Sequence, residues 1–406
     1  MRVLFVAPYV PSRIRVRPFE WVRALARQGC RVHLVAVQPP EDQALDDRSV
    51  FDACEAADVF PLGRWQTLAN AASALPTSLP IQAAYARQPA AEARIRALTA
   101  SGGFDVVHVE HLRGALLVPS PGSVPTVYDG VDCITRLFEQ TLRLAPGLAQ
   151  RAMARLDVGR TRRFEASLSR RFDRMIASSE AEAQAFRALD PVADPGFVTA
   201  LRNGVDLGAA PGPPADDGRT VLFAGKLSYH ANEAAARRLA ADVMPRVWER
   251  HPEARLILAG KDPSPALQAL AAPGRVEVTG YVKDMAATMA TATVLAAPLV
   301  YAAGIQNKVL EAMARGVPVV TSASACAALE AVVGRDVVSA DDDAAFAAAI
   351  IGLLKDRPRR DAVGAAGRRH VEQHHDWDAL ARALMGVYAD AHRVAGQRRL
   401  TPAEVR

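Results

Sequence analysis

Short apolar runs and helical patterns take turns along this chain, and that alternation is the strongest limit on what it can fold into. RVLFVAP (2–8), RVHLVAV (31–37), DVVHVE (105–110), PTVYD (125–129) and RMIASS (174–179) are brief, valine-rich and bounded by turns. Their continuous apolar character predicts strands buried on both faces of a parallel sheet. Helical patterns such as PFEWVRALARQG lie between them, with Gly29 as a stop. GAAPGPPADDG (208–218) breaks the rhythm, which restarts with TVLFAG, RLILAG, VEVTG, TVLAAPL, PVVTS and DVVSA. Two doubly wound α/β domains follow, joined near residue 210.

Length agrees, since 406 residues supply two full cores. The N-terminal apolar run is too short for a signal-peptide core, and no stretch approaches ~18 consecutive apolar residues, so no membrane span is expected. Cys30, Cys54, Cys133 and Cys326 are scattered without paired spacing, which argues against a zinc site or disulfide framework and suits a reducing cytoplasm. A net charge of +5 permits attraction to nucleotide or anionic lipid without marking a nucleic-acid binder. All five lysines (Lys226, Lys261, Lys283, Lys308, Lys355) lie in the second half, four of them closely after a strand. Arg151 to Arg174 reads as a long, strongly basic helical stretch, either simply solvated or a peripheral contact with anionic membrane. His374 and His375 are expected to face solvent.

The turn after the first strand, YVPSRIRVRP, is not G-x-G-x-x-G, which argues against a nicotinamide or flavin enzyme. The informative stretch is AAGIQNKVLEAMARGVPVV (302–320), a glycine turn, a helix and the start of a strand. Gly304, Ile305, Gln306 and Asn307 offer a turn and free helix-start amides, and Lys308 adds a cation. Glu311 lies three residues after Lys308 and so shares its face, placed for ribose hydroxyls if phosphates sit at the helix start. The competing reading is a solvated lysine–glutamate pair worth a few tenths of a kcal/mol. Gly225 and Lys226 follow a strand, and TGYVKD puts Val282 in another strand-to-helix loop with Asp284 as N-cap. In the first half, HVEHLRG and VYDGVD place His111, Tyr128, Asp129 and Asp132 just after strands.

Together NGVD, FAGKLSYHANE, LILAGKDPSP, VTGYVKD and APLVYAAGIQNKVLEAMARGVPVV resemble family 4 glycosyltransferases. GIQNKVLEAMA looks most like the branch found in exopolysaccharide gene clusters. The resemblance implies a GT-B fold, two Rossmann-like domains facing across a cleft. Residues 1–207 would form the acceptor domain and 208–375 the nucleotide-sugar donor domain. Residues 376–406 would be a final helix crossing back, with a tail. It also implies metal-independent transfer with retention of configuration, no cofactor beyond the nucleotide-diphosphate sugar, and no bound metal. Glu311 matches the second glutamate of the E-x7-E motif, while the first falls at Ala303 and is missing. Lys226 matches the diphosphate-binding cation; Asn232 stands where the family has a second basic residue, with Lys308 as compensation. Val282 matches the loop that meets the base. Tyr128 falls near the position of a histidine beside the reacting carbon, with Asp129 as alternative. Arg13, Arg15 and Arg17 replace the glycine-rich first loop and are candidates, with His111, to hold an acceptor.

The expected activity is transfer of a sugar to a glycan or lipid-linked hydroxyl in exopolysaccharide or other surface-glycan synthesis. The expected location is the cytoplasm, peripheral to the inner face of the membrane. A non-catalytic nucleotide-binding partner and a nucleotide-sugar epimerase of the same fold are the alternatives.

Overall fold

The computed structural model describes residues 1–42, 48–119, 123–144, 148–208, 217–299 and 305–400. The chain divides into two compact units. The first is Met1–Arg202 together with Trp377–Arg406, and the second is Asn203–Asp376.

The first unit holds seven strands: β1 (Arg2–Ala7), β2 (Arg31–Gln38), β3 (Ala56–Pro61), β4 (Val106–Glu110), β5 (Thr126–Val131), β6 (Arg174–Ala177) and β7 (Val198–Ala200). They pair in parallel in the order β3-β2-β1-β4-β5-β6-β7. Side chains alternate along each strand, so one sheet feeds two cores. Leu4, Val6, Val35 and Val37 enter one; Val3, Phe5, Val32, Leu34 and Ala36 enter the other. Each of these valine, leucine and phenylalanine side chains contributes roughly 1.5–3 kcal/mol when fully buried.

The second core is closed by the final helix, Trp377–Leu400, which belongs to the first unit. Trp377, Ala381, Leu384, Tyr388 and Ala391 recur at helical spacing and pack into it, and Trp377 meets Trp21 edge-on at 4.9 Å. The basic stretch from Arg151 is not one helix. A helix spans Leu148–Glu165, a short 3-10 turn follows at Leu168–Arg170, and Arg174 already opens β6.

The second unit contains β8 (Thr220–Ala224), β9 (Arg255–Ala259), β10 (Val276–Gly280), β11 (Val294–Ala297), β12 (Val319–Thr321) and β13 (Val338–Ser339). Their order is β10-β9-β8-β11-β12-β13, all parallel. In both sheets the winding reverses direction once: at β1/β4 in the first unit and at β8/β11 in the second. At such a point the loops leaving neighbouring strands diverge and open a crevice at the carboxyl ends. His375 corrects the solvent-facing expectation. It is fully buried, with Nδ1 2.6 Å from the Asn203 carbonyl oxygen, because Val205 and Asp376 bridge side by side where the chain enters and leaves the second unit.

Candidate active site

In the second unit, the switch point brings residues far apart in sequence to one place. Gly225 directly follows β8 at φ 144° and donates its N–H to the Ala259 carbonyl at 3.0 Å. A Cβ there would stand 2.9 Å from Asn232 Nδ2 and 3.3 Å from Lys308 Nζ, so glycine is what lets the lysine approach the backbone. Gly260, which follows β9 at φ 153°, is tighter still: a Cβ would meet the Gly225 carbonyl oxygen at 1.7 Å. Gly260→Ala is therefore expected to displace the Gly225–Lys226 loop and cost at least ~2 kcal/mol, read as a lowered urea midpoint.

Lys308 lies in the first turn of the helix Asn307–Ala314 and is only 9% exposed. Its ammonium donates to Asn232 Oδ1 and stands 4.8 Å from the centre of the Phe223 ring. Asn232 Nδ2 in turn donates to the Lys226 carbonyl at 3.0 Å. Burial pushes the Lys308 pKa down to about 8, against the opposing pull of Glu311. Burial also raises the Glu311 carboxyl, with Arg315 and Lys308 holding it down.

The Lys226 side chain is exposed, Ile305 is buried, and Val282 is half-buried against the core beneath the helix. No side chain of Gln306 caps the first helical turn. Asn307 Oδ1 is buried with no hydrogen-bond partner among the described residues, an acceptor that an incoming hydroxyl or amide donor would satisfy. Gly304 and Ala303 lie outside the described residues. Sequence reading missed Phe223, whose side chain looks like any other strand residue, and the exposed Tyr281 beside Val282.

In the first unit the candidates separate into two groups. At the mouth of the switch point, Arg13 is exposed. Arg15 covers the Tyr9 ring at 4.5 Å and pairs with Asp42 at 3.4 Å. His111 is half-buried with a left-handed backbone (φ 62°), and its Nδ1 accepts from Arg113 N at 3.3 Å. Burial, then Arg113 and Arg15, push its pKa down to about 3, which leaves the imidazole neutral at physiological pH.

Arg17, Tyr128 and Asp129 are corrected by their surroundings. Tyr128 is 1% exposed and its ring stacks on Phe172 at 4.9 Å, so it fills the core and reaches no substrate. Asp129 is fully buried. Its Oδ2 accepts from Arg17 Nε at 2.8 Å and Trp21 Nε1 at 3.1 Å, and its Oδ1 from Val131 N at 3.1 Å. Those bonds occupy both oxygens and remove Asp129 as a base and Arg17 as an acceptor grip. Ligand atoms of His108, Glu110 and Asp129 lie within 4.8 Å of one another. Arg17 on Asp129, Tyr9 OH donating to Glu110 Oε1 at 3.0 Å, and Tyr388 OH 2.9 Å from His108 Nδ1 make that cluster a structural network tying the final helix to the sheet.

Comparison with known proteins agrees with this division of the chain. Residues 14–204 match the model of a glycosyl transferase 4-like domain, and residues 218–356 that of glycosyl transferases group 1. A phosphatidyl-myo-inositol mannosyltransferase of Mycobacterium leprae is 26% identical over 415 aligned positions, covering 96% of both chains. Among solved structures, sucrose-phosphate synthase from Thermosynechococcus elongatus superposes with a TM-score of 0.67 at 19% identity, over 96% of this chain and 98% of that one. Anabaena HepE in complex with UDP and glucose gives 0.66 at 15%, over 96% and 99%. The chain is a glycosyltransferase of the family 4 type, built on the GT-B fold.

Proposed function

We propose that this enzyme moves a sugar from a nucleotide-diphosphate donor, held at the switch point of the second unit, to a hydroxyl of a lipid-linked or glycan acceptor. The observation that carries the reading is the buried Lys308 ammonium beside Gly225, aligned by Asn232 and one helical turn from Glu311. A buried cation at a helix N-terminus suits a diphosphate, and Glu311 is spaced for the ribose hydroxyls. The mannosyltransferase of M. leprae is named for phosphatidyl-myo-inositol, a lipid, and that name supports a lipid-linked acceptor; surface-glycan or exopolysaccharide assembly at the cytoplasmic side of the membrane is the setting we propose for it.

The bond from the anomeric carbon to the diphosphate oxygen breaks, and its electron pair leaves with the nucleoside diphosphate. The acceptor oxygen bonds to the same face of that carbon, giving retention, and its proton passes to the departing phosphate oxygen. Lys308, Lys226 and the helix amides neutralise the growing charge without needing a metal. Arg13, Arg15 and His111 are the residues on the first unit proposed to hold the acceptor.

Calorimetric titration of UDP, GDP and ADP tests the donor site. One of them is expected to bind, and Glu311→Ala to weaken it roughly tenfold or more, the worth of a charged hydrogen bond. Binding of none, or an unchanged affinity in Glu311→Ala, removes this placement. Donor isomerised in the absence of acceptor would replace transfer by epimerisation.

A further inference from the structure

A second surface of the first unit carries a partner's signature. The helix Arg64–Ala74 buries Thr67 and Ala74, while Trp65, Leu68, Ala72 and Leu75 recur at i, i+3, i+7 and i+10 on the opposite face and just beyond its end. Trp65 is 85% exposed and Leu68 60%. The helix Leu148–Glu165 repeats the spacing with Met153, Leu156, Arg160 and Arg163, and Met153 and Leu156 are also exposed. The two faces are joined. Arg160 donates through Nη2 to the Leu75 carbonyl at 2.8 Å and through Nε to the Thr77 carbonyl at 3.2 Å. Asp157 accepts from Ile81 N at 2.9 Å.

The exposed charges on these two helices have one sign, although Glu139 of a neighbouring helix pairs with Arg162. Residues 59–91 contain no aspartate or glutamate, and the sole acid within 140–164 is the buried Asp157. Exposed Arg64 and Arg163 lie beside or within the apolar faces, with exposed Arg155 flanking them. A second copy of the chain is a poor partner, since a twofold contact would set these arginines against one another with no carboxylate between them. An anionic bilayer satisfies both features. Tryptophan and leucine enter the headgroup–acyl boundary, while guanidinium groups meet lipid phosphates.

We infer that this Trp65–Leu68–Leu75–Met153–Leu156 face docks the enzyme on an anionic lipid surface. The inference deepens the acceptor side of the proposed function and rests on that reading for its purpose; its test does not depend on donor chemistry.

Full-length protein is sedimented with vesicles of phosphatidylcholine alone, or mixed equally with phosphatidylglycerol, while tryptophan emission is followed. Binding to the mixed vesicles with a blue shift is expected, weakening as salt rises. Trp65→Ser/Leu68→Ser and Arg64→Gln/Arg163→Gln should each lower partitioning roughly tenfold or more. Removing Trp65 should abolish the blue shift. Nucleotide affinity, measured separately, should stay at the wild-type value, since none of these residues is in the donor site. Equal partitioning of wild type and both variants overturns the inference, as does absence of vesicle binding. So does a concentration-dependent dimer in sedimentation velocity that Trp65→Ser disperses.

Discussion

Lys308→Met is expected to leave a folded protein whose transfer rate falls roughly a hundred- to thousandfold, the usual loss when a preorganised group opposite a growing anion is removed. The fold should survive because the methionine stem keeps the contact over Phe223 and no longer buries a charge. The structural debt is Asn232 Oδ1, left without its donor, at about 1–3 kcal/mol. Lys308→Arg should not rescue. Nζ already stands 3.3 Å from where a Gly225 Cβ would be, leaving no room for a planar guanidinium. A steady-state assay beside circular dichroism separates lost chemistry from lost folding.

The same lysine sets a pH dependence. Burial brings its pKa down to about 8, so the free enzyme holds the cation below that pH and loses it above. Nucleotide affinity should therefore be flat up to about pH 8. It should then decline by up to roughly tenfold per unit, because binding the diphosphate requires taking the proton back. Lys308→Met should show no such decline. A wild-type profile that stays flat through pH 9.5 (roughly one and a half units above the lysine's pKa) would remove Lys308 from the diphosphate contact.

The proposed donor cluster was legible because its polar members follow strand ends. Gly225 and Lys226 follow β8, and Lys308 and Glu311 lie in a helix after β11, so strand-end chemistry is visible in one dimension. Phe223 under the ammonium was not, since which strands neighbour one another is decided by topology. The same limit explains the first unit. Arg17 and Asp129 are 112 residues apart, and nothing in either local pattern announces the other. Tyr128 misled for a different reason. Period-two alternation says that Val127 and Tyr128 face opposite ways, but both faces of this sheet are covered, so neither direction leads to solvent. β3 and β7 escaped because they are the sheet's edges; AADVFP is half-exposed and VTA only three residues long. The Trp65 face gave no signal because a stripe facing outward looks, in sequence, like one facing a core.

Arg17→Met is expected to be the most destabilising single change in the first unit, by about 3–5 kcal/mol, because it strands a carboxylate inside the protein. Asp129 would keep Trp21 Nε1 and Val131 N but lose the only cation within hydrogen-bond distance among the described residues. Removing both partners, in Arg17→Met/Asp129→Leu, should recover part of that loss, since an apolar pair leaves no uncompensated charge. Acid should narrow the gap as well. In the wild type, burial holds His108 down to about 4, so the unfolded chain takes up that proton first and stability is lost as pH falls from 6.5 towards 4. Arg17 is one cause of the depression and Asp129 opposes it, so deleting the arginine raises the His108 pKa and shrinks the loss. Glu110 moves in the same sense: Arg17 counters its upward shift from burial, and without the arginine the folded protein holds the Glu110 proton to higher pH. Urea midpoints of Arg17→Met and wild type should therefore lie closer together at pH 5 than at pH 8. A gap that widens on acidification would mean that the Arg17–Asp129 pair is not what holds this network together.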